Sequence, residues 1–296
     1  MAQLAPLIVI VGQTASGKSG LAMEIAKKYK GEIICADSWT VYKGFDIGTA
    51  KPTIADQDAV PHHLLDVADP VAGYSAAIFQ KQAKNVIEDI GKRGKLPILV
   101  GGTGLYIDSI LYDYGFLPRS DPTLRQKLNA LSLIDLHQLA SENQLDLTEI
   151  DNRNKRRVIR HIENNGTRPT RTSLRSNTLI IGISCEIEVL QARIVKRIDT
   201  MVKRGFADEV RQLGVTYGWD NEPMKAPGYR AFRDYIKGSI TLDLAKERFM
   251  RNDLQLAKKQ RTWFKRNESI LWIENSEHAK ELVEKFLTTN SSSLNN

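Results

Sequence analysis

The 296-residue chain is 42% hydrophobic and 26% charged, an ordinary composition for a soluble globular protein. It has no run of about twenty apolar residues for a membrane span and no basic leader ahead of its first apolar run. Its two cysteines, Cys35 and Cys185, form neither a disulfide framework nor a CxxC motif, so a reducing cytosol and no membrane partner are expected. The net charge of +7 is uneven: residues 150–175 and 246–266 each carry eight Lys/Arg against two Asp/Glu, which leaves the rest net acidic. Two basic patches on an acidic body point to a polyanionic partner, against the plainer reading of two solvated helix faces.

Leu7–Val11 reads as a short apolar strand and Gly20–Tyr29 as a helix, with Leu21, Ile25 and Lys28 at helical spacing. Between them GQTASGKS, residues 12–19, matches G-x-x-x-x-G-K-[ST] in the strand-to-helix context that the motif requires. Gly12 and Gly17 let the backbone curl so that the N–H groups of Thr14, Ala15 and Ser16 turn inward. The following helix aims its positive end at the same point, Lys18 adds a full charge, and the Ser19 hydroxyl is the usual Mg²⁺ ligand. The loop is therefore expected to hold a diphosphate or triphosphate. From the loop alone a P-loop kinase or NTPase is the first reading.

Glu32–Ala36 reads as a second strand ending at Asp37, Ser75–Arg93 as an amphipathic helix, and Leu96–Val100 as a third strand closed by GGTG at 101–104. Strands alternating with helices predict an α/β fold, a P-loop parallel sheet covered by helices, with ligands at the carboxyl ends of the strands. Pro118-Arg-Ser-Asp-Pro122 reads as a boundary, residues 122–165 as helix-rich and basic, and Asn164–Pro169 as a turn cluster. Thr178–Ser184 returns to the sheet, one long helical pattern runs from Glu186 to Leu213, and further helix fills 231–266. The expected organisation is a catalytic core over 1–120 and 176–287, an all-helical insertion over 121–175, and a disordered Ser/Asn-rich tail over 288–296.

After the phosphate loop come Ala36-Asp-Ser-Trp-Thr-Val-Tyr42, Lys43-Gly-Phe-Asp-Ile-Gly-Thr-Ala-Lys-Pro52, Pro61-His-His-Leu-Leu-Asp66 and Gly101-Gly-Thr-Gly-Leu-Tyr106. In that order these resemble the tRNA dimethylallyltransferases. The likeness resumes at Arg204-Gly-Phe206 with Glu209, at Gly228-Tyr-Arg230 and at Ala257-Lys-Lys-Gln-Arg-Thr-Trp-Phe264. The resemblance implies transfer of a dimethylallyl group from dimethylallyl diphosphate to N6 of adenosine 37, beside the tRNA anticodon. The loop would then hold a leaving diphosphate, with Mg²⁺ on Ser19, and no phosphoryl group would move. It further implies that Asp37 is the general base on the adenine amine. A turn-capping Asp, or one binding Mg²⁺ through water, fits the residues alone equally well. Thr103 would lie near the reacting groups. Lys225, where the family commonly carries Arg or Gln, would reach the diphosphate.

The residues implied to contact the anticodon stem-loop are Asp37, Ser38, Trp39, Thr40, Thr103, Arg125, Arg156, Arg157, Arg160, Lys258 and Arg261. Of these Arg157 and Arg160 share a helix face with Arg153, and Lys258 and Arg261 share one with Lys265, while Leu256 and Trp263 would pack inward. His62 and His63 are adjacent and cannot readily converge on one metal, and are read as structural. The chain departs from the family at Gln13, where Pro is usual, and at Thr40, where a base-reading Gln is usual. It departs again at Pro227, and at Asp253-Leu-Gln-Leu-Ala-Lys-Lys-Gln260, where the family reads Thr-Arg-Gln-Tyr-Ala-Lys-Arg-Gln. Three rivals remain open: a small-metabolite kinase, a prenyltransferase acting on free adenine nucleotides, and a tRNA-binding protein without catalysis. A monomer is expected.

Overall fold

The computed structural model describes residues 4–118 and 121–292. Residues 119 and 120 of the expected boundary, and 293–296 of the expected tail, lie outside the described residues. The described residues form two compact units, 4–111 with 174–292, and 112–118 with 121–173. Among them no helix is long and apolar enough to cross a membrane.

The first unit runs β1 (Leu7–Gly12), α1 (Lys18–Tyr29), β2 (Gly31–Cys35), α2 (Ile54–Ala59), β3 (His62–His63), α3 (Ala76–Lys92), β4 (Leu96–Gly101) and α4 (Gly104–Leu111). The second unit holds α5 (Pro122–Ala130), α6 (Leu133–Glu142) and α7 (Lys155–Glu163). The first unit then resumes with β5 (Thr178–Ile183), α8 (Ile187–Lys203), α9 (Phe206–Tyr217), a 3₁₀ turn (Pro223–Lys225), α10 (Pro227–Ile236), α11 (Leu242–Phe264), β6 (Leu271–Ile273) and α12 (Ser276–Ser292).

The six strands pair in parallel in the order β3-β2-β4-β1-β5-β6. Every residue of β1, β2 and β4 is buried, as a parallel sheet covered on both faces demands. Alternate strand residues Ile8, Ile10, Ile33, Ile98, Val100 and Ile181 share one cluster with Leu21 and Ile25 of α1 and Val283 of α12. A second, aromatic-rich cluster joins α8–α11 to the segment after β2 through Tyr42, Phe45, Phe206, Tyr229, Phe232 and Phe249.

The helical pattern from Glu186 to Leu213 is two helices rather than one. α8 stops before Gly205, whose φ of +91° is left-handed, and α9 starts a new axis. The pattern over 231–266 likewise divides into α10 and α11 around Gly238, φ +73°, and α10 begins earlier, at Pro227. The expected disordered tail is helical as far as Ser292, and the Thr288 and Thr289 hydroxyls donate to the Glu284 and Lys285 carbonyls at 2.7 and 2.9 Å. β6, only three residues long, was not legible as a strand.

The segment between β2 and α2 is pinned from α9. Glu209 Oε2 accepts from the amides of Asp46 and Ile47 at 3.1 and 2.7 Å, and Oε1 accepts from the Gly48 amide at 3.0 Å and the Tyr229 hydroxyl at 2.6 Å. Gly48 is required here, since a Cβ would lie 2.2 Å from the Phe206 ring. Lys51 completes the clamp, donating to Asp46 and Asp66 at 2.6 Å each and to the Tyr42 carbonyl at 2.9 Å. Glu209→Ala orphans four donors and should cost about 3 kcal/mol, read as a lower urea midpoint at unchanged m. An unchanged midpoint would show that water replaces the carboxylate.

The second unit packs around Leu128, Leu136, Val158 and Ile159. It starts at Tyr112, ahead of the expected position 121, and an antiparallel bridge between Gly115 and Thr170 ties its ends.

Candidate functional site

β1, β2 and β4 are neighbours, so their carboxyl ends bring the Gly12 loop, Asp37 and the Gly101–Gly104 turn to one edge of the sheet. A cleft of about 380 Å³ opens there, lined among others by Thr14, Ala15, Gly17, Lys18, Ser19, Asp37, Trp39 and Thr40. Close backbone approach shapes its floor: a Cβ on Gly101 would stand 2.0 Å from the Ala36 carbonyl.

The loop takes the strained form that anion binding needs. Ala15 and Gly17 have φ of +60° and +101°, and Gly17 sits at the N-cap of α1 with no side chain capping it. The orphan N–H groups of that helix end therefore remain available to an anion. Lys18 folds back and donates to the Gln13 carbonyl at 3.1 Å. Burial of its ammonium pulls the pKa down to about 8, partly offset by Asp37. Ser16 Oγ is buried without a partner.

Asp37 does one job visibly. Its Oδ1 accepts from the Trp39 and Thr40 amides at 2.8 and 3.4 Å, closing the turn after β2. Oδ2 has no hydrogen-bond partner among the described residues. The turn-capping reading is thus realised in a carboxylate that also lines the cleft. Thr103 Oγ1 accepts from the Ser38 amide at 3.0 Å and donates to Ser38 Oγ at 3.4 Å, so it braces the segment that carries Asp37. Thr40 is buried, and its hydroxyl has no partner. Trp39 lines the cleft, whereas Tyr42 is packed into the aromatic cluster.

Four polar residues that the sequence reading passed over build the remaining walls. Gln260 accepts from the Thr14 amide at 2.7 Å and donates to the Gly102 carbonyl at 3.2 Å, locking the phosphate loop to the β4 turn. Arg193 and Arg197, one turn apart on α8, reach the same loop. Arg193 Nη1 donates to the Ser16 carbonyl at 3.0 Å and Arg197 Nη1 to Thr14 Oγ1 at 3.1 Å. Asp253, 1% exposed, accepts from Arg197 Nη2 at 3.1 Å. Burial pushes its carboxyl pKa up against the pull of that guanidinium. The available signal was periodic: Asp253, Ala257 and Gln260 fall at i, i+4, i+7 on the buried face of α11, where an acid and an amide need a reason.

Lys225 is not brought to the cleft. It is exposed and pairs with Glu222 at 2.9 Å, while the next residues, Ala226 and Pro227, do line the cleft. The cationic role expected of Lys225 has no geometric support here, because the 3₁₀ turn carrying it directs its side chain to Glu222. Leu256 lines the cleft instead of packing away from it. Trp263 donates to Asp108 at 2.9 Å and covers Gly104. His63 bonds to Glu32 and His62 to the Val60 carbonyl, each at 2.7 Å, so the two rings diverge.

In the second unit, Arg125 and Arg160 are committed internally. Both pair with the Glu163 carboxylate, and Arg160 also donates to the Leu117 and Pro118 carbonyls at 2.9 and 2.8 Å. Arg156 and Arg157 are exposed on α7, as are Lys258 and Arg261 on α11. No cluster of three His, Cys, Asp or Glu fit for a metal occurs among the described residues. The Ser19 hydroxyl with the Asp37 carboxylate in one cleft is an all-oxygen pair. It suits a hard cation such as Mg²⁺, which keeps waters and shares phosphate oxygens.

Comparison with known proteins bears on this cleft. The family model described as IPP transferase matches residues 40–267. A tRNA dimethylallyltransferase of Staphylococcus epidermidis is 39% identical over 302 residues, covering 96% of this chain and 91% of that protein. One from Pelotomaculum thermopropionicum is 41% identical, covering 91% and 90%. The crystal structure of the full-length tRNA isopentenylpyrophosphate transferase of Bacillus halodurans superposes with a TM-score of 0.76 at 35% identity, covering 99% and 100%. A eukaryotic dimethylallyltransferase captured acting on tRNA superposes at 0.83 and 25% identity, covering 96% of this chain and 80% of that one.

Proposed function

The chain belongs to the IPP transferase family, and on that premise we propose that it moves a dimethylallyl group from dimethylallyl diphosphate to N6 of adenosine 37. The product is N6-(dimethylallyl)adenosine in tRNAs reading codons that start with U. The observation that carries this reading is one cleft holding both an anion-binding loop and, on the neighbouring strand end, a carboxylate with an unengaged oxygen. The exocyclic N6 attacks the allylic carbon, the carbon–oxygen bond to diphosphate breaks, and the amine proton passes to Asp37 Oδ2. The backbone N–H groups of Ala15 and Gly17, together with Lys18, receive the charge that grows on the leaving group, the Thr14 and Ser16 amides being engaged by Gln260 and the Gln13 carbonyl. The Ser19 hydroxyl would hold a Mg²⁺ ion, which would supply further neutralisation of the leaving group when bound. Thr103 and Ser38 hold the Asp37 segment in place.

The target adenine sits in a loop and must be unstacked to enter the cleft, where Trp39 offers an aromatic wall. Arg156, Arg157, Lys258 and Arg261 supply phosphate contacts for the anticodon stem-loop, whereas Arg125 and Arg160 shape the unit that bears the first two. Neutralising Arg156 and Arg157 together should therefore weaken tRNA binding for all tRNA sequences alike. It should also lower the slope of log K against log salt by about 1–2 units. An unchanged slope would remove α7 from the interface. The enzyme is proposed to act as a cytoplasmic monomer.

The decisive experiment is nucleoside mass spectrometry after incubating the protein with Mg²⁺, dimethylallyl diphosphate and unmodified tRNA bearing adenines at positions 36 and 37. Appearance of N6-(dimethylallyl)adenosine sustains the reading. Bound tRNA without product would leave a binding protein, and neither binding nor product would return the loop to kinase chemistry.

A further inference from the structure

The sequence offers one cation for the far side of the phosphate loop, Lys225, and the fold turns it away. Two others reach the loop instead. Arg193 and Arg197 lie on the same face of α8, and their guanidinium groups touch residues 16 and 14 of the loop at 3.0 and 3.1 Å. Both line the cleft. Arg197 is held on two sides, by Thr14 through Nη1 and by Asp253 through Nη2, yet its Nε–H is buried with no partner. A buried guanidinium N–H left unpaired is costly unless a ligand oxygen meets it. Within the loop, the Ser16 hydroxyl is likewise buried without a partner.

Asp253 makes this arrangement particular to the chain. A buried carboxylate in the lining of an anion site repels the anion, so its presence needs a return. That return is preorganisation: Asp253 holds a long, flexible side chain in its working rotamer before the ligand arrives, which removes an ordering cost from binding. We infer that Arg193 and Arg197 form the second cationic wall of the diphosphate site, and that Asp253 is the residue that positions Arg197. The inference rests on the reading of the cleft as a prenyl diphosphate site, and its test is independent of turnover.

The probe is inorganic diphosphate with Mg²⁺, titrated calorimetrically against the full chain and variants, each checked for an intact melting transition. Arg197→Met should weaken binding roughly ten- to a hundredfold and Arg193→Met by less, since a hydrogen bond to a charged group is worth about that much. Lys225→Met should leave affinity within about twofold. Should Arg197→Met melt below the assay temperature, Arg197→Lys carries the test, with a smaller loss expected because it keeps charge and loses the fork.

Asp253→Asn separates positioning from simple repulsion. A positioning residue predicts weaker binding when Arg197 is present and no weakening in the Arg197→Met background. A merely repulsive neighbour predicts tighter binding in both, and that result would overturn the role of Asp253. Unchanged affinity in Arg197→Met would overturn the wall itself. If the wild-type chain makes no prenylated nucleoside while these affinities shift as stated, the reading of function fails and the anion-site assignment stands.

Discussion

Lys18→Met is expected to lower turnover by about two to three orders of magnitude, the scale for losing one preorganised group that meets developing charge. Methionine keeps the length of the side chain, so the hole it leaves is electrostatic. Among the described residues Lys18 donates only to the Gln13 carbonyl, and the left-handed backbone at Ala15 and Gly17 is set by residues other than Lys18 itself. The variant should therefore melt close to the wild type. The lowered pKa of about 8 adds a signature. The anion binds the protonated lysine, so diphosphate affinity should hold below pH 8 and fall as pH rises above it, whereas Lys18→Met should show no such fall. A wild-type affinity flat from pH 7 to 10, or a variant within threefold of wild-type turnover, would place the charge elsewhere.

Asp37→Asn should reduce turnover by about 10²- to 10⁴-fold and spare tRNA binding. The substitution is informative because Asp37 has two roles that the amide separates. The amide oxygen can still accept from the Trp39 and Thr40 amides, as Oδ1 does now, so the turn survives. The amide nitrogen cannot take a proton from adenine N6. Asp37→Ala loses both roles and should also lower stability, by about 1 kcal/mol. Single-turnover measurements with prebound tRNA isolate the step. Near-normal turnover in Asp37→Asn would reduce Asp37 to a turn cap.

The parts of this site that could be read from the sequence are those whose geometry is local. GQTASGKS specifies its own curl, and strand ends in a parallel sheet share one edge, so Asp37 could be placed near the loop from the pattern, whereas Thr103 was placed near the reacting groups only by the family resemblance. What could not be read is the contribution of α8 and α11. The Thr14–Gln260 and Thr14–Arg197 hydrogen bonds span 246 and 183 residues, and nothing in the local pattern of either helix says which loop it will face. Lys225 failed for the opposite reason. Its neighbours do reach the cleft, but one position along a 3₁₀ turn points the side chain about a third of a circle away. Arg125 and Arg160 looked like surface charges because nothing in the local pattern marks Glu163, one of two acids in residues 150–175, as their partner. Only the fold shows that Glu163 is buried and that it recruits them. The missed breaks in the long helical patterns share a cause, since Gly205 and Gly238 act through backbone conformation and leave the apolar periodicity on either side undisturbed.

The strand order has a consequence for how the chain is made. β1 is synthesised before the other five strands, yet it lies inside the sheet between β4 and β5, so one of its edges waits for Thr178 to leave the ribosome. At about 5–20 residues per second that wait is on the order of ten seconds. Throughout it, the all-apolar stretch Leu7–Val11 presents an unpaired edge of the kind that recruits other strands. The 112–173 unit emerges within the same interval and closes on its own core, so a half-made chain carries one finished unit beside one that cannot yet be finished. Intervention by chaperones belongs to that interval, ahead of the return of β5.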